Sequence, residues 1–207
     1  MKMKSGERTL LASVLLSSPG PIVVGAGLFL GRSSTQLADF IRRTVELAAI
    51  IISWIVFRIL HKGGEPSAER KEKLEHTANF CVGIAMCLSG AAMLFVLLFS
   101  PVTEKGNVIP GLVIAVLGVT TNSWFWLRYS KLNRENPDAI LAAQSKLYRA
   151  KSLVDACVTI ALTVVAVDSV APAARYVDII GSVIVSFYLI LNGIIIIRGK
   201  RSDFVSE

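Results

Sequence analysis

The sequence is poor in the residues that build metal centres and disulfide frameworks. It holds two histidines and three cysteines among 207 residues. The cysteines form no CxxC pair and lie within apolar segments, where free thiols usually serve packing. No His/Glu metal pair and no Ser/Lys dyad is visible, so neither an enzyme nor a cofactor is expected. The chain is therefore not predicted to be a hydrolase or a disulfide-stabilised secreted domain.

Apolar sequence is abundant instead. Hydrophobic residues make up 53% of the chain, and the mean hydropathy is +0.60. This is too apolar for a soluble domain of this size, and several runs are long enough to cross a bilayer. We predict an all-α membrane protein consisting of a single transmembrane domain (residues 1–207), without a C-terminal cytoplasmic domain. The six predicted spans cover residues 9–30, 36–60, 75–99, 108–130, 140–169 and 176–198.

The excess of basic residues follows this topology. Lys and Arg number 22 against 15 Asp and Glu, which gives a formal charge of +7. Sixteen of the basic residues lie at the termini, in the connections between spans two and three and between spans four and five, or at the span ends that border these connections. The positive-inside rule therefore places both termini in the cytoplasm. The charge indicates contact with anionic lipid rather than nucleic acid. We expect a multi-pass protein of a cell's inner or plasma membrane.

Ionisable side chains interrupt two of the predicted spans. Away from the span ends, span two carries four of them at i, i+3, i+4 and i+7, on one helical face, and span five carries two that are four residues apart. In span two, about thirteen apolar residues each favour insertion by roughly 0.3–0.6 kcal/mol, which does not outweigh four charges at about 3 kcal/mol each. Span two therefore needs partners for its charges. We interpret both clusters as a substrate or ion pathway. Its residues are Asp39, Arg42, Arg43 and Glu46 in span two and Lys151 and Asp155 in span five.

A structural interpretation of the same six residues is also open. Three are positive and three negative, so their formal charges sum to zero, and Arg42 with Glu46 or Lys151 with Asp155 can pair within one helix. The clusters could thus be an ionic staple between helices. Apolar packing would do the same at a lower desolvation cost, which favours the functional interpretation.

Several motifs resemble those of the cation diffusion facilitator (cation efflux) family. The stretch Leu37-Ala38-Asp39 is similar to the family's Leu-Ala-Asp, and Arg42 and Glu46 stand at its next two ligand positions. Lys151 and Asp155 are similar to its His-x-x-x-Asp, with Lys in place of His. Two further stretches fall in the family's order, and the similarity runs over residues 33–198. They are Lys73-Leu74-Glu75 at the start of span three and Asp178-Ile179-Ile180-Gly181-Ser182 at the start of span six.

The resemblance implies a cation-efflux-like bundle of six transmembrane helices, commonly a homodimer. It also implies exchange of a small cation for protons between helices two and five. The chain departs from the family at Arg42 and Lys151, because cationic side chains repel a divalent ion. A family-type zinc site is therefore not expected. His61 and His76 lie too near the cytoplasmic surface to replace the missing ligands.

Two functions remain open on the sequence alone. The first is a secondary transporter resembling cation/proton exchangers, with Asp39, Glu46 and Asp155 as its acidic groups and Lys151 as an internal cation that substrate displaces. An anionic or zwitterionic substrate also stays open, because Arg42 and Arg43 on span two can hold an anionic group. The second is a transport-incompetent structural or regulatory partner subunit, in which the cationic replacements lock the site. The substrate, the direction of transport and the coupling ion stay open.

Overall fold

A computed structural model describes residues 3–30, 34–62, 67–99, 109–167 and 172–198 of the chain. These residues form seven helical segments and no strand, and the first two segments are the halves of one predicted span. The prediction of an all-α protein is confirmed. The segments are α1 (Met3–Ser17), α2 (Pro19–Leu30), α3 (Ser34–Lys62), α4 (Ala68–Phe99), α5 (Ile109–Glu135), α6 (Ala139–Val167) and α7 (Pro172–Ile197).

Four stretches of the described residues are long and apolar enough to cross a membrane. They surround a core of buried side chains while presenting large apolar ones outward, such as Ile55, Leu98 and Ile184. Outward apolar side chains on this scale are what a lipid environment requires. The remaining two helices, α5 and α6, do not meet the same test of length and composition. The four stretches are Ser5–Ala26, Phe40–His61, Ala68–Phe99 and Ile179–Ile197.

The first span is broken between α1 and α2. Helix α1 ends at Ser17, and α2 begins at Pro19, whose missing N–H is tolerated at the first position of a helix. The Ser18 hydroxyl donates a hydrogen bond to the Leu15 carbonyl at 2.9 Å and so satisfies one of the groups freed by the break. Pro19, Gly20 and Pro21 explain this interruption, because proline and glycine disfavour a continuous helix.

Helix α4 begins seven residues before the predicted span. Its first two turns are strongly charged, and two ion pairs of i, i+4 spacing stabilise them: Lys73 with Glu69 at 2.6 Å and Lys71 with Glu75 at 3.9 Å. Such pairs support a helix in water, where hydropathy gives no signal. The apolar membrane part of α4 therefore continues into a polar helical extension.

Helices α4 and α7 approach until their backbones nearly touch. A Cβ atom built on Gly83 would lie 2.7 Å from the carbonyl oxygen of Gly193, and one built on Gly193 would lie 2.7 Å from that of Gly83. A Cβ on Gly90 would lie 2.8 Å from the carbonyl oxygen of Ser186. The small residues of span three thus serve helix packing within the chain. They do not by themselves provide a surface for the homodimer, which stays a prediction.

Helix α1 is joined to α5 and α6 through hydroxyl groups. Tyr129 donates to the Ser13 hydroxyl at 2.8 Å and to the Thr9 carbonyl at 3.3 Å. One turn further along α1, the Ser17 hydroxyl lies 3.3 Å from that of Tyr148. These contacts fix the ring of Tyr148, which lies beside the charged site described next.

Candidate functional site

An ion pair joins α3 to α6 near the middle of both helices. The Lys151 ammonium lies 3.2 Å from Oε2 of Glu46, and the hydroxyl of Ser89, on α4, donates to Oε1 of the same carboxylate at 2.6 Å. Glu46 is only 7% exposed. Both Glu46 and Lys151 lie about 18 Å from the first residue of their helix. The pair therefore sits at a depth where water is scarce and charges need partners.

The Lys151 side chain extends toward the N-terminal end of α6. Its Nζ atom lies 5.2 Å from the centre of the Tyr148 ring, a distance at which the ring's π electrons attract the ammonium. Long side chains in a helix normally lean toward its N-terminus, which explains this direction. Glu46 and Tyr148 together hold the charge of Lys151 in place.

Asp155 lies one turn beyond Lys151 on α6 and has a different partner. The Asn122 amide, on α5, donates to Oδ2 of Asp155 at 2.6 Å. The same oxygen occupies space that a side chain at residue 118 would fill, because a Cβ built on Gly118 would lie only 2.6 Å from it. Gly118 and Asn122, one helical turn apart, thus form a recess on α5 that accommodates the Asp155 carboxylate.

The two arginines of α3 lie in different surroundings. Arg42 acts electrostatically on both Glu46 and Asp155, so the structure brings it to the site. Arg43 lies against the break in the first span, where a Cβ on Gly20 would come within 3.3 Å of its guanidinium. Asp39 is part of α3, but its side chain lies outside the described residues.

The observed ion pair crosses between helices instead of staying within one. The four-residue spacing allowed Lys151 to pair with Asp155, but its ammonium contacts Glu46 on α3. Lys151 still attracts Asp155 electrostatically along α6. The reason is positional, since Glu46 faces Lys151 across the helix contact while Asp155 is held by Asn122 on the opposite neighbour.

The sequence matches the cation efflux transmembrane domain over residues 10–205. The chain belongs to the cation efflux family. The match covers nearly the whole chain, and no curated protein is significantly similar to it in sequence. The family and the apolar helices together establish an integral membrane protein of a class that transports cations.

The motif resemblance predicts that the cation-binding positions of the family correspond here to Arg42, Glu46, Lys151 and Asp155, and this assignment stays a prediction. In this member, Lys151 and Arg42 bring positive charge to two of those positions. Among the side chains that the structure describes, no group of three or more His, Cys, Asp or Glu is arranged to hold a metal ion. The oxygen atoms that remain for a hard cation are those of the Glu46 and Asp155 carboxylates and of the Ser89 hydroxyl, because the Asn122 amide directs its N–H at Asp155.

Three site residues escaped sequence reasoning. In the sequence, Ser89 stands among small residues typical of helix packing, and Asn122 stands close to Trp124 and Trp126. Gly118 gave no signal of its own. A polar residue within an apolar run, such as Ser89 or Asn122, was a usable sign, because polar side chains inside a membrane usually have a polar partner.

Proposed function

We propose that this cation efflux member is a secondary transporter that exchanges a cation for protons at the α3–α6 site. The observation that carries the proposal is the ammonium of Lys151 on the Glu46 carboxylate, at 3.2 Å. A tethered cation thus occupies the carboxylate that the family uses for its substrate. We place the protein in a cell's inner or plasma membrane, with both termini in the cytoplasm.

The charges of the site favour one-for-one exchange. Arg42 and Lys151 balance Glu46 and Asp155, so these four groups sum to zero. A divalent cation that entered without any other change would raise the sum to two positive charges in a medium of low dielectric. Release of the Lys151 proton removes one of them and frees Glu46 as a ligand. Uptake of the cation and release of a proton are thereby linked.

Asp155 is the carboxylate best placed to receive the incoming cation. Asn122 holds one of its oxygens, whereas the Glu46 carboxylate is already occupied by the Lys151 ammonium. A cation that binds first at Asp155 repels the ammonium of Lys151 one turn away and weakens its hold on Glu46. This order of events requires the negative charge of Asp155, not merely its shape.

Asp155→Asn is expected to reduce cation-driven proton flux by about ten- to a hundredfold, because the variant loses a charged ligand but keeps the shape of the side chain. The carbonyl of the new asparagine can still accept the hydrogen bond from Asn122, so the free energy of unfolding should be nearly unchanged. The measurement is flux in proteoliposomes, with divalent cations, monovalent cations and small anions, with and without a pH gradient.

Ser130→Ala is the matched control for this experiment. Ser130 pairs with Ser145 across the same α5–α6 contact at 2.7 Å, but carries no charge. It should leave the flux unaltered. Wild-type flux in Asp155→Asn would show that the site has been assigned to the wrong residues, and flux of an anion alone would point to Arg42 as the substrate-binding group.

A second function is favoured by the completeness of the Glu46 contacts. Both oxygens of this carboxylate have partners, Lys151 and Ser89, as expected of a site that is locked. The chain would then be a partner subunit that moves no ion. In that case the purified protein would transport none of the ions tested in proteoliposomes, and another membrane protein would co-purify with it reproducibly.

A further inference from the structure

A second polar pair crosses the α3–α6 contact on the cytoplasmic side of the first. The Gln144 amide, on α6, donates to the hydroxyl of Ser53, on α3, at 2.9 Å. Ser53 follows Glu46 by seven residues, and Gln144 precedes Lys151 by seven. The two pairs therefore lie about 10 Å apart along both helices. Buried apolar residues, including Ile50 and Leu147, separate them.

The amide of Gln144 is fixed in orientation. The Ser53 hydroxyl donates its hydrogen to the Ala49 carbonyl at 2.8 Å, so it can only accept a bond from Gln144. Gln144 must therefore present its nitrogen to Ser53, which leaves Oε1 as the remaining acceptor. Gln144 is 0% exposed, and its Oε1 atom has no donor among the described residues.

An unpaired carbonyl oxygen is costly in an apolar interior, and more so within a membrane. The atom has lone pairs and no hydrogen, so it accepts hydrogen bonds or coordinates cations and has nothing to offer an anion. The Ser53 oxygen also keeps a lone pair beyond the one that Gln144 uses. Two neutral oxygens, on residues that contact each other between α6 and α3, thus keep acceptor capacity.

We propose that Gln144 Oε1 and Ser53 Oγ form a second site for the transported cation, two helical turns from the Glu46–Lys151 pair on its cytoplasmic side. The assignment of the ligand rests on the proposed function. Its chemical class is a hard cation, for which carbonyl and hydroxyl oxygens are the preferred ligands. Neutral oxygens hold such an ion less firmly than a carboxylate does, so the site suits an ion in passage between Glu46 and the cytoplasm.

The test is Gln144→Leu, which keeps the size of the side chain and removes its oxygen. We expect cation flux to fall by about tenfold or more, the change that loss of one hydrogen-bonding ligand produces. We also expect the midpoint of unfolding to stay the same or rise, because the unpaired acceptor is gone. Ser186→Ala is the matched control: Ser186 is buried on α7, and its hydroxyl also has no partner among the described residues. This control should leave the flux unchanged.

A binding measurement separates this inference from the proposed function. Purified protein in detergent is titrated with Mn²⁺, followed by electron paramagnetic resonance, and with radioactive rubidium. Gln144→Leu should weaken binding of the probe that the wild type takes up. Gln144→Glu should strengthen binding by about tenfold or more, because it adds a charge.

Each outcome decides the matter. If the wild type moves no ion but binds a probe in a Gln144-dependent way, the transporter proposal fails and the second site stands. If Gln144→Leu leaves both flux and binding unaltered, the second site is overturned. It is equally overturned if flux and the midpoint of unfolding fall together, since that pattern indicates a purely structural amide, or if the wild type binds neither probe.

Discussion

Lys151→Met will destabilise the protein by about 3–5 kcal/mol and abolish cation flux. The variant removes the ammonium that neutralises Glu46 but leaves that carboxylate buried at the centre of the bundle. Removing one partner of a buried ion pair is far more damaging than removing both, because the other charge stays without compensation. The hydrogen bond from Ser89 alone cannot offset this loss. The measurements are denaturant-induced unfolding in detergent and flux in proteoliposomes.

A double variant distinguishes the ion pair from simple packing. Adding Glu46→Gln to Lys151→Met removes the uncompensated charge and keeps an acceptor for Ser89, so most of the stability should return while the flux stays absent. Arg149→Met, on the same helix, is the control. Arg149 is exposed and its guanidinium lies 5.6 Å from the Trp126 ring, a contact worth about 1 kcal/mol or less. Equal stability of Lys151→Met and the wild type would mean that water already solvates Glu46.

Gly193→Ala is the second change for which we expect a large effect. Its new methyl group would lie 2.7 Å from the Gly83 carbonyl oxygen and 2.6 Å from the sulfur of Cys87, so α4 and α7 must separate. We expect a destabilisation of about 1–3 kcal/mol, the usual cost of overpacking a close contact. Replacing glycine by alanine also stabilises a helix by about 1 kcal/mol through its higher helix propensity. The steric cost must exceed this gain for the variant to be less stable than the wild type.

The same substitution at Gly181 should have the opposite sign. Among the described residues, a Cβ there would meet Cβ and Sγ of Cys157 at 3.3 Å, a contact that a shift of a few tenths of an ångström relieves. Gly181→Ala should therefore leave stability unchanged or raise it by up to about 1 kcal/mol. The test compares the midpoints of unfolding of Gly193→Ala and Gly181→Ala in detergent. If Gly193→Ala is as stable as Gly181→Ala, the α4–α7 contact is looser than the structure indicates.

Much of this architecture was predictable because membranes impose a simple rule. Apolar runs marked the helices. The orientation that the basic residues predict stays a prediction. The helical spacing in span two placed Arg42 and Glu46 on one face, and the spacing in span five did the same for Lys151 and Asp155. Hydropathy does not mark helices that lie in water, however, so the charged extension of α4 before residue 75 was not predicted.

The partners of the charged residues were harder to predict. Spacing within a helix shows which residues share a face, but it does not show which other helix that face meets. The pair allowed by spacing, Lys151 with Asp155, therefore gave way to Lys151 with Glu46 across the bundle. Asn122, as the partner of Asp155, depends on how α5 packs against α6, and this register is fixed by tertiary contacts such as that of Ser123 with Ser152.

The tethered ammonium also bears on how membrane voltage acts on the protein. A potential of 100 mV exerts about 2.3 kcal/mol on each elementary charge that crosses it. A carrier that returned with a bare carboxylate would be driven or held back by this force. In the proposed exchange, Lys151 accompanies Glu46, so the unloaded pair would cross the field as a neutral unit. The rate at which the unloaded protein returns should thus not depend on the membrane voltage.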